Sequence, residues 1–150
     1  MKNIIEHHLI INPHIIGYNE YKLLDVFRMI LIKFYRKYLG KNFNKKKDQQ
    51  MNMLFAPEYG ALYDICKDEK HTHLHCIIQT DNEDMLNKFH KWMKQGLDSY
   101  FMKDIDYQYK LLDTLEYRIN AYNYIRKEDR EVFSNADFYY KKSDKIDYFR

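Results

Sequence analysis

Cysteine is scarce in this chain, and nothing in it marks a membrane protein or a nucleotide-driven motor. Cys66 and Cys76 stand ten positions apart without CxxC spacing, which reads as a reduced thiol pair in an intracellular protein. No apolar run approaches the length of a transmembrane helix. Glu6, His7 and His8 interrupt the only apolar stretch near Met1, so no secretory leader is expected either. The phosphate-cradling patterns GxGxxG and GxxxxGK[ST] are both missing, which disfavours a parallel nucleotide-binding sheet and an ATP-driven motor. Charge of one sign is weak: 25 Lys+Arg against 22 Asp+Glu leaves +3, too little to argue for nucleic acid by itself. Glycine (4) and proline (2) are also few. What the 150 residues do hold is one domain's worth of apolar side chains and 15 tyrosines. Abundant Tyr, Ile, Lys and Asn reflect an AT-rich coding sequence as readily as a stacking surface, so no single tyrosine counts for much alone.

Periodicity orders the chain as strand, helix, hairpin, helix, strand, helix. Ile4 to Asn12 reads as a strand closed by Asn12-Pro13. Asn19 is a helix cap, followed by an apolar stripe at Leu23, Leu24, Phe27, Leu31, Phe34 and Tyr38, with Gly40 as the stop. The polar stretch from Lys41 to Gln50, with Lys45, Lys46 and Lys47, reads as a flexible surface loop and a weak candidate for phosphate contact. Met51 to Tyr59 and His73 to Thr80 are the hairpin strands. A capping box at Thr80 and Glu83 opens a helix from Asp81 to about Gln95, which Gly96 ends or kinks. Asp104 to Lys110 alternates as a fourth strand, and Asp113 with Glu116 opens a last helix to about Asp129. The expected fold class is therefore α+β, a central antiparallel sheet of about five strands flanked by helices.

Three groups of residues carry chemistry. In His71-Thr72-His73-Leu74-His75, strand alternation puts His73 and His75 on one face and Leu74, Cys76 and Ile78 on the other. Alone the pair reads as hydrogen-bonded histidines, because chance supplies roughly 0.3 such triplets in a chain of this composition. Glu58, at the end of the partner strand, would lie across the hairpin from those imidazoles, with cross-strand Cβ atoms about 4.5–5.5 Å apart. Two imidazoles and a carboxylate form one side of a coordination shell that suits several divalent metals, although Glu58 is equally an ordinary strand-end carboxylate. Tyr124 and Lys127 share a helix face. A phenol titrates near 10, and a neighbouring ammonium and a metal-polarised phosphate would supply what it lacks as a nucleophile. Tyr117 and Asn120 fall nearly on that face, while Tyr117, Ala121 and Tyr124 also fit a buried stripe.

Taken in order, Glu58-Tyr59-Gly60, His73-Leu74-His75 and Tyr124-Ile125-Arg126-Lys127 resemble the HUH endonucleases. Within that superfamily they are most similar to the rolling-circle replication initiators of small viruses, phages and plasmids. The resemblance spans roughly Ile4 to Asp129 and implies an HUH endonuclease domain of ferredoxin-like type over 1–130, with 131–150 as its tail or short last helix. It implies Glu58, His73 and His75 as ligands of Mn2+ or Mg2+, Tyr124 as nucleophile and Lys127 as its helper. The implied substrate is single-stranded DNA at a replication origin, cut through a 5′-phosphotyrosine link that frees a 3′-hydroxyl for priming. Host helicase and polymerase are the implied partners, and the location is the cytoplasm or whichever host compartment the element replicates in. The loop from Glu58 to His73 is long for this family, and no first-strand motif matches.

Other readings remain open at this level. Single-tyrosine HUH transposases share the His-x-His and the tyrosine helix, but place a glutamine where this chain has Glu128. A non-catalytic module could stack single-stranded nucleic acid on exposed tyrosines. A metallohydrolase would use metal-bound water and leave Tyr124 structural. His71 and Tyr117 have no assignable role.

Overall fold

The computed structural model describes residues 3–15, 18–60, 71–125 and 133–134. Four full strands, β1 (Ile5–Asn12), β2 (Asn52–Gly60), β3 (His71–Thr80) and β4 (Asp106–Leu111), form one antiparallel sheet in the order β4-β1-β3-β2. The expectation of about five strands is met only by a two-residue fifth, β5 (Phe133–Ser134), which pairs with Leu54 and Phe55 on the outer edge of β2. It lies inside the segment expected to be a tail or short helix. Because β3 runs antiparallel to both neighbours, β1 and β2 are parallel with β3 between them, and β3 and β4 flank β1 in the same way. Each parallel pair is joined by one helix, α1 (Glu20–Leu39) or α2 (Glu83–Phe101). No helix among the described residues is long and apolar enough to cross a membrane.

Local chemistry sets the helix ends. Asn19 caps α1 as expected, its side chain accepting from the Tyr21 and Lys22 amides, and Gly40 ends it at φ 98°, where a Cβ would be strained. The start of α2 corrects the expected box. Asn82 is the cap, accepting from Met85 N, while the Thr80 hydroxyl instead accepts from Asn82 N. Nor does Gly96 stop the helix, which continues to Phe101. The reason is a close approach: a Cβ at Gly96 would sit 2.9 Å from Ile30 Cγ2 of α1. The lysine-rich segment after α1 is also more built than expected. It forms two short 3-10 turns around buried Phe43, which packs on Tyr35.

One face of the sheet receives α1 and α2. Leu9 and Ile11 of β1, Met53 and Phe55 of β2, and Leu74, Cys76 and Ile78 of β3 meet Leu24, Phe27, Leu31, Phe89 and Met93 there. Cys76 is a buried free thiol; Cys66 lies outside the described residues. The opposite face holds much less apolar surface. There α3 (Leu115–Ile125) rests on a small cluster of Ala56, Ile77, Leu112, Ala121 and Ile125. That sparse face carries the polar constellation described next.

Candidate active site

Strand register brings the histidines and the glutamate together. Glu58 pairs directly with His73 and Ala56 with His75, so all of these side chains alternate onto the α3 face. His73 and His75 are buried to within 1% of full enclosure, while Glu58 keeps a solvent edge. Their donor atoms cluster: Glu58 Oε2 lies 2.9 Å from His73 Nε2 and 3.5 Å from His75 Nε2. One donor atom from each of the three residues falls within 4.8 Å of the other two.

That set fits a divalent cation. Ligands at about 2.0–2.2 Å from one ion are separated by roughly 3.0–3.5 Å along a coordination edge. The two separations from Glu58 Oε2 fall in or next to that range. The shell is one-sided, because the imidazoles are enclosed and only the Glu58 side is open. A mixed nitrogen and oxygen set of this kind accepts several metals.

Tyr124 stands on the same side of the sheet. Its ring centroid is 4.5 Å from that of His75 and 6.4 Å from that of His8. His75, His8 and Tyr124 line one cavity of about 340 Å³, whose far wall is Lys110, Tyr117 and Asn120. The Lys110 ammonium sits 3.5 Å from the centre of the Tyr117 ring. This face therefore holds a carboxylate, three imidazoles, a phenol and an ammonium drawn from five elements.

Two of these residues were missed by sequence reasoning. His8 entered it only as an interruption of an apolar run. In the fold His8 Nε2 lies 3.3 Å from His75 Nδ1, so the ring nitrogen of His75 that faces away from Glu58 is engaged by β1. Burial, then the neighbouring His75 and Lys110, pull the His8 imidazole down to about 4, so it is neutral at physiological pH. Lys110 pairs with His8 across β1 and β4. The alternation Glu6, His8, Ile10 signals a shared face, but only the strand order reveals that His75 is on it.

A second polar group fixes α3 to the sheet. Glu6, buried on β1, accepts from Arg118 Nε at 2.5 Å and from the Tyr122 hydroxyl at 2.7 Å, both on α3, and from Gln79 Nε2 at 2.5 Å on β3. Burial alone would raise the Glu6 carboxyl, but hydrogen bonds from Tyr122, Gln79 and Arg118 outweigh it and the net shift is downward. Burial and the Glu6 charge push the Tyr122 phenol up to about 12. At neutral pH the clamp is thus a carboxylate held by neutral and cationic donors.

Of the remaining candidates, the lysine run is not brought to the site. Lys127 lies outside the described residues. Lys45, Lys46 and Lys47 precede Asn52, itself six strand positions or about 20 Å from Glu58. Lys46 Nζ donates to Leu39 O at the end of α1, a helix-capping role. Comparison with protein-family models, curated proteins and solved structures gives no match for this chain, so what the site does is read from its own residues.

Proposed function

We propose that this chain nicks and rejoins single-stranded DNA through a covalent bond to Tyr124, as a replication initiator of the HUH type. One observation carries the reading: the Glu58-His73-His75 donor set and the Tyr124 ring occupy the same face, with the Tyr124 ring 4.5 Å from that of a donor imidazole. The β-α-β-β-α-β order with parallel pairs split by an antiparallel strand is the ferredoxin-like arrangement, which agrees with that superfamily.

In the proposed reaction Tyr124 Oη attacks the scissile phosphorus. The bond from Oη to phosphorus forms as the bond from phosphorus to the 3′ oxygen breaks. The phenolic proton is lost to solvent, and the leaving oxygen takes up a proton to become a 3′-hydroxyl. Reversal by that hydroxyl, or by another, rejoins the strand. A divalent ion, Mn2+ or Mg2+, when bound by Glu58, His73 and His75, neutralises charge on the phosphate oxygens. His8 orients His75 through its second ring nitrogen, as the outer partners of ligating histidines do. Lys110 supplies a positive charge on the cavity wall, and Lys127 is assigned the same service. Lys45, Lys46 and Lys47 are assigned weaker contacts with the backbone of a strand that extends beyond the site. Unwinding and synthesis then fall to host enzymes.

The test is incubation of the chain with labelled single-stranded DNA and Mn2+, followed by denaturing electrophoresis. A labelled adduct that resists denaturation is expected, and is expected to disappear in Tyr124→Phe. Cleavage without an adduct would replace this reading with a metal-bound-water hydrolase. Binding without cleavage would leave only a nucleic-acid-binding module.

A further inference from the structure

On the side of the molecule away from Tyr124, α1 and α2 enclose a groove of a different character. Two adjoining cavities of about 630 and 430 Å³ share Trp92 and Gln95. Four lysines line them: Lys33 and Lys37 on α1, Lys88 and Lys91 on α2. No carboxylate is among the lining residues. Beside them, Asp84 pairs with Lys88 at 3.1 Å and accepts from the Tyr38 hydroxyl at 2.8 Å. The whole chain is only +3, so this is a local concentration of positive charge.

The ammoniums are also held in place. Lys37 Nζ sits 5.1 Å above the Trp92 ring and Lys88 Nζ 5.5 Å above that of Tyr38. Each such contact attracts the ammonium to the negative face of the ring. Trp92 is itself fixed, because its indole N–H donates to Ile30 O. Lysines three and four apart on one helix have Cβ atoms roughly 5–6 Å apart, a spacing of the same order as that of successive phosphates along a strand.

We infer that this groove binds the sugar-phosphate backbone of a nucleic-acid strand, as a second contact surface across the sheet from the nicking site. The choice of a nucleic acid over another polyanion rests on the proposed function, but the groove and the Tyr124 site can be tested separately.

Trp92 is the only tryptophan in the chain, so its emission reports on this groove. The full-length Tyr124→Phe protein, in chelator, is titrated with an oligothymidylate of about 20 nucleotides. A saturable change in emission is expected. With about three phosphate contacts the affinity should fall about 20-fold between 50 and 200 mM salt. Combined Lys37→Gln and Lys91→Gln, at exposed positions, should weaken the response about tenfold or more, whereas Glu58→Gln should leave it unchanged. Oligonucleotide binding seen by anisotropy without a change at Trp92 would overturn the proposal. So would a change indifferent to the lysine replacements, or an equal response to polyglutamate. Adduct formation by the native protein with a silent Trp92 would remove the groove and leave the nicking reading. A responsive Trp92 without any adduct would do the reverse.

Discussion

At the scale of single residues, His73 and His75 occupy positions that a core would ordinarily give to apolar side chains. A buried imidazole facing a carboxylate at 2.9 Å has a structural use as a hydrogen-bonded pair, and a metal is what separates the two uses. Calorimetric titration with Mn2+ should give one site per chain, lost in His73→Ala, His75→Ala and Glu58→Ala. His8→Ala should weaken it about 10- to 100-fold, the usual cost of losing an outer partner of a ligating histidine. Unchanged Mn2+ affinity in His73→Ala would leave the trio as a hydrogen-bonded pair with a neighbour. The trio was readable in the sequence because strand alternation and a hairpin constrain it locally: Glu58 and His73 lie on consecutive strands that pair directly. His8 and Lys110 were not readable, because they reach His75 through the order of strands in the sheet, and no local pattern encodes that order.

Among the elements, α3 stands apart. Helix α1 buries eight side chains, whereas α3 buries only Ala121 and Ile125, so apolar contact alone holds the tyrosine helix weakly. The Glu6 clamp makes up part of that deficit. Glu6→Gln leaves a neutral acceptor for Arg118 and should lower stability by about 1.5–3 kcal/mol, the range for hydrogen bonds to a charged group. It should also slow adduct formation while Mn2+ affinity stays unchanged, because the triad is carried by β2 and β3. Equal losses in both would show that Glu6 supports the whole sheet and not the placement of α3. Helix α2 offers a contrasting case. Gly96→Leu should destabilise the fold by about 1–3 kcal/mol in a urea melt, because Ile30 is β-branched, buried and cannot yield easily. A neutral result would mean that α1 and α2 can separate at little cost. In the sequence this glycine looked like a stop. The bounds of α1 were legible from its own caps, but the continuation of α2 depends on a neighbour.

For the molecule as a whole, the face opposite the candidate site hides a titrating pair. His7 Nδ1 lies 2.8 Å from His90 Nε2, His90 Nδ1 lies 2.7 Å from the Tyr107 hydroxyl, and Tyr109 stacks on His90 at 3.7 Å. Burial, then the neighbouring His7, lowers His90 to about 3, and burial lowers His7 as well. Both are therefore neutral in the fold while the unfolded chain protonates them near 6.5. The contribution of His90 is complete above that pH and is lost as pH falls from about 6.5 toward about 3, and His7, lowered in the same direction, adds to the loss below 6.5. The slope is at most about 1.4 kcal/mol per pH unit for each histidine. Glu6, whose folded value is lowered, adds to the loss only below its ordinary carboxylate range. Urea unfolding from pH 8 to 4 should show this decline, and His90→Phe should flatten it. A flat profile in the native protein would mean that the pair accepts a proton in place.

The fold class and the candidate residues thus emerge from local alternation and capping, while the sharing of one face by β1, β3, β4 and α3 is a property of the assembled sheet. The central claim is that the phenol of Tyr124 reaches a phosphate held beside Glu58, His73 and His75. Proteolysis and mass spectrometry of the chain after reaction with single-stranded DNA and Mn2+ test it most directly. A nucleotide on the peptide containing Tyr124, absent when metal is chelated, is the predicted result. A nucleotide carried by Tyr117 or any other residue, or one attached equally well in chelator, would contradict it.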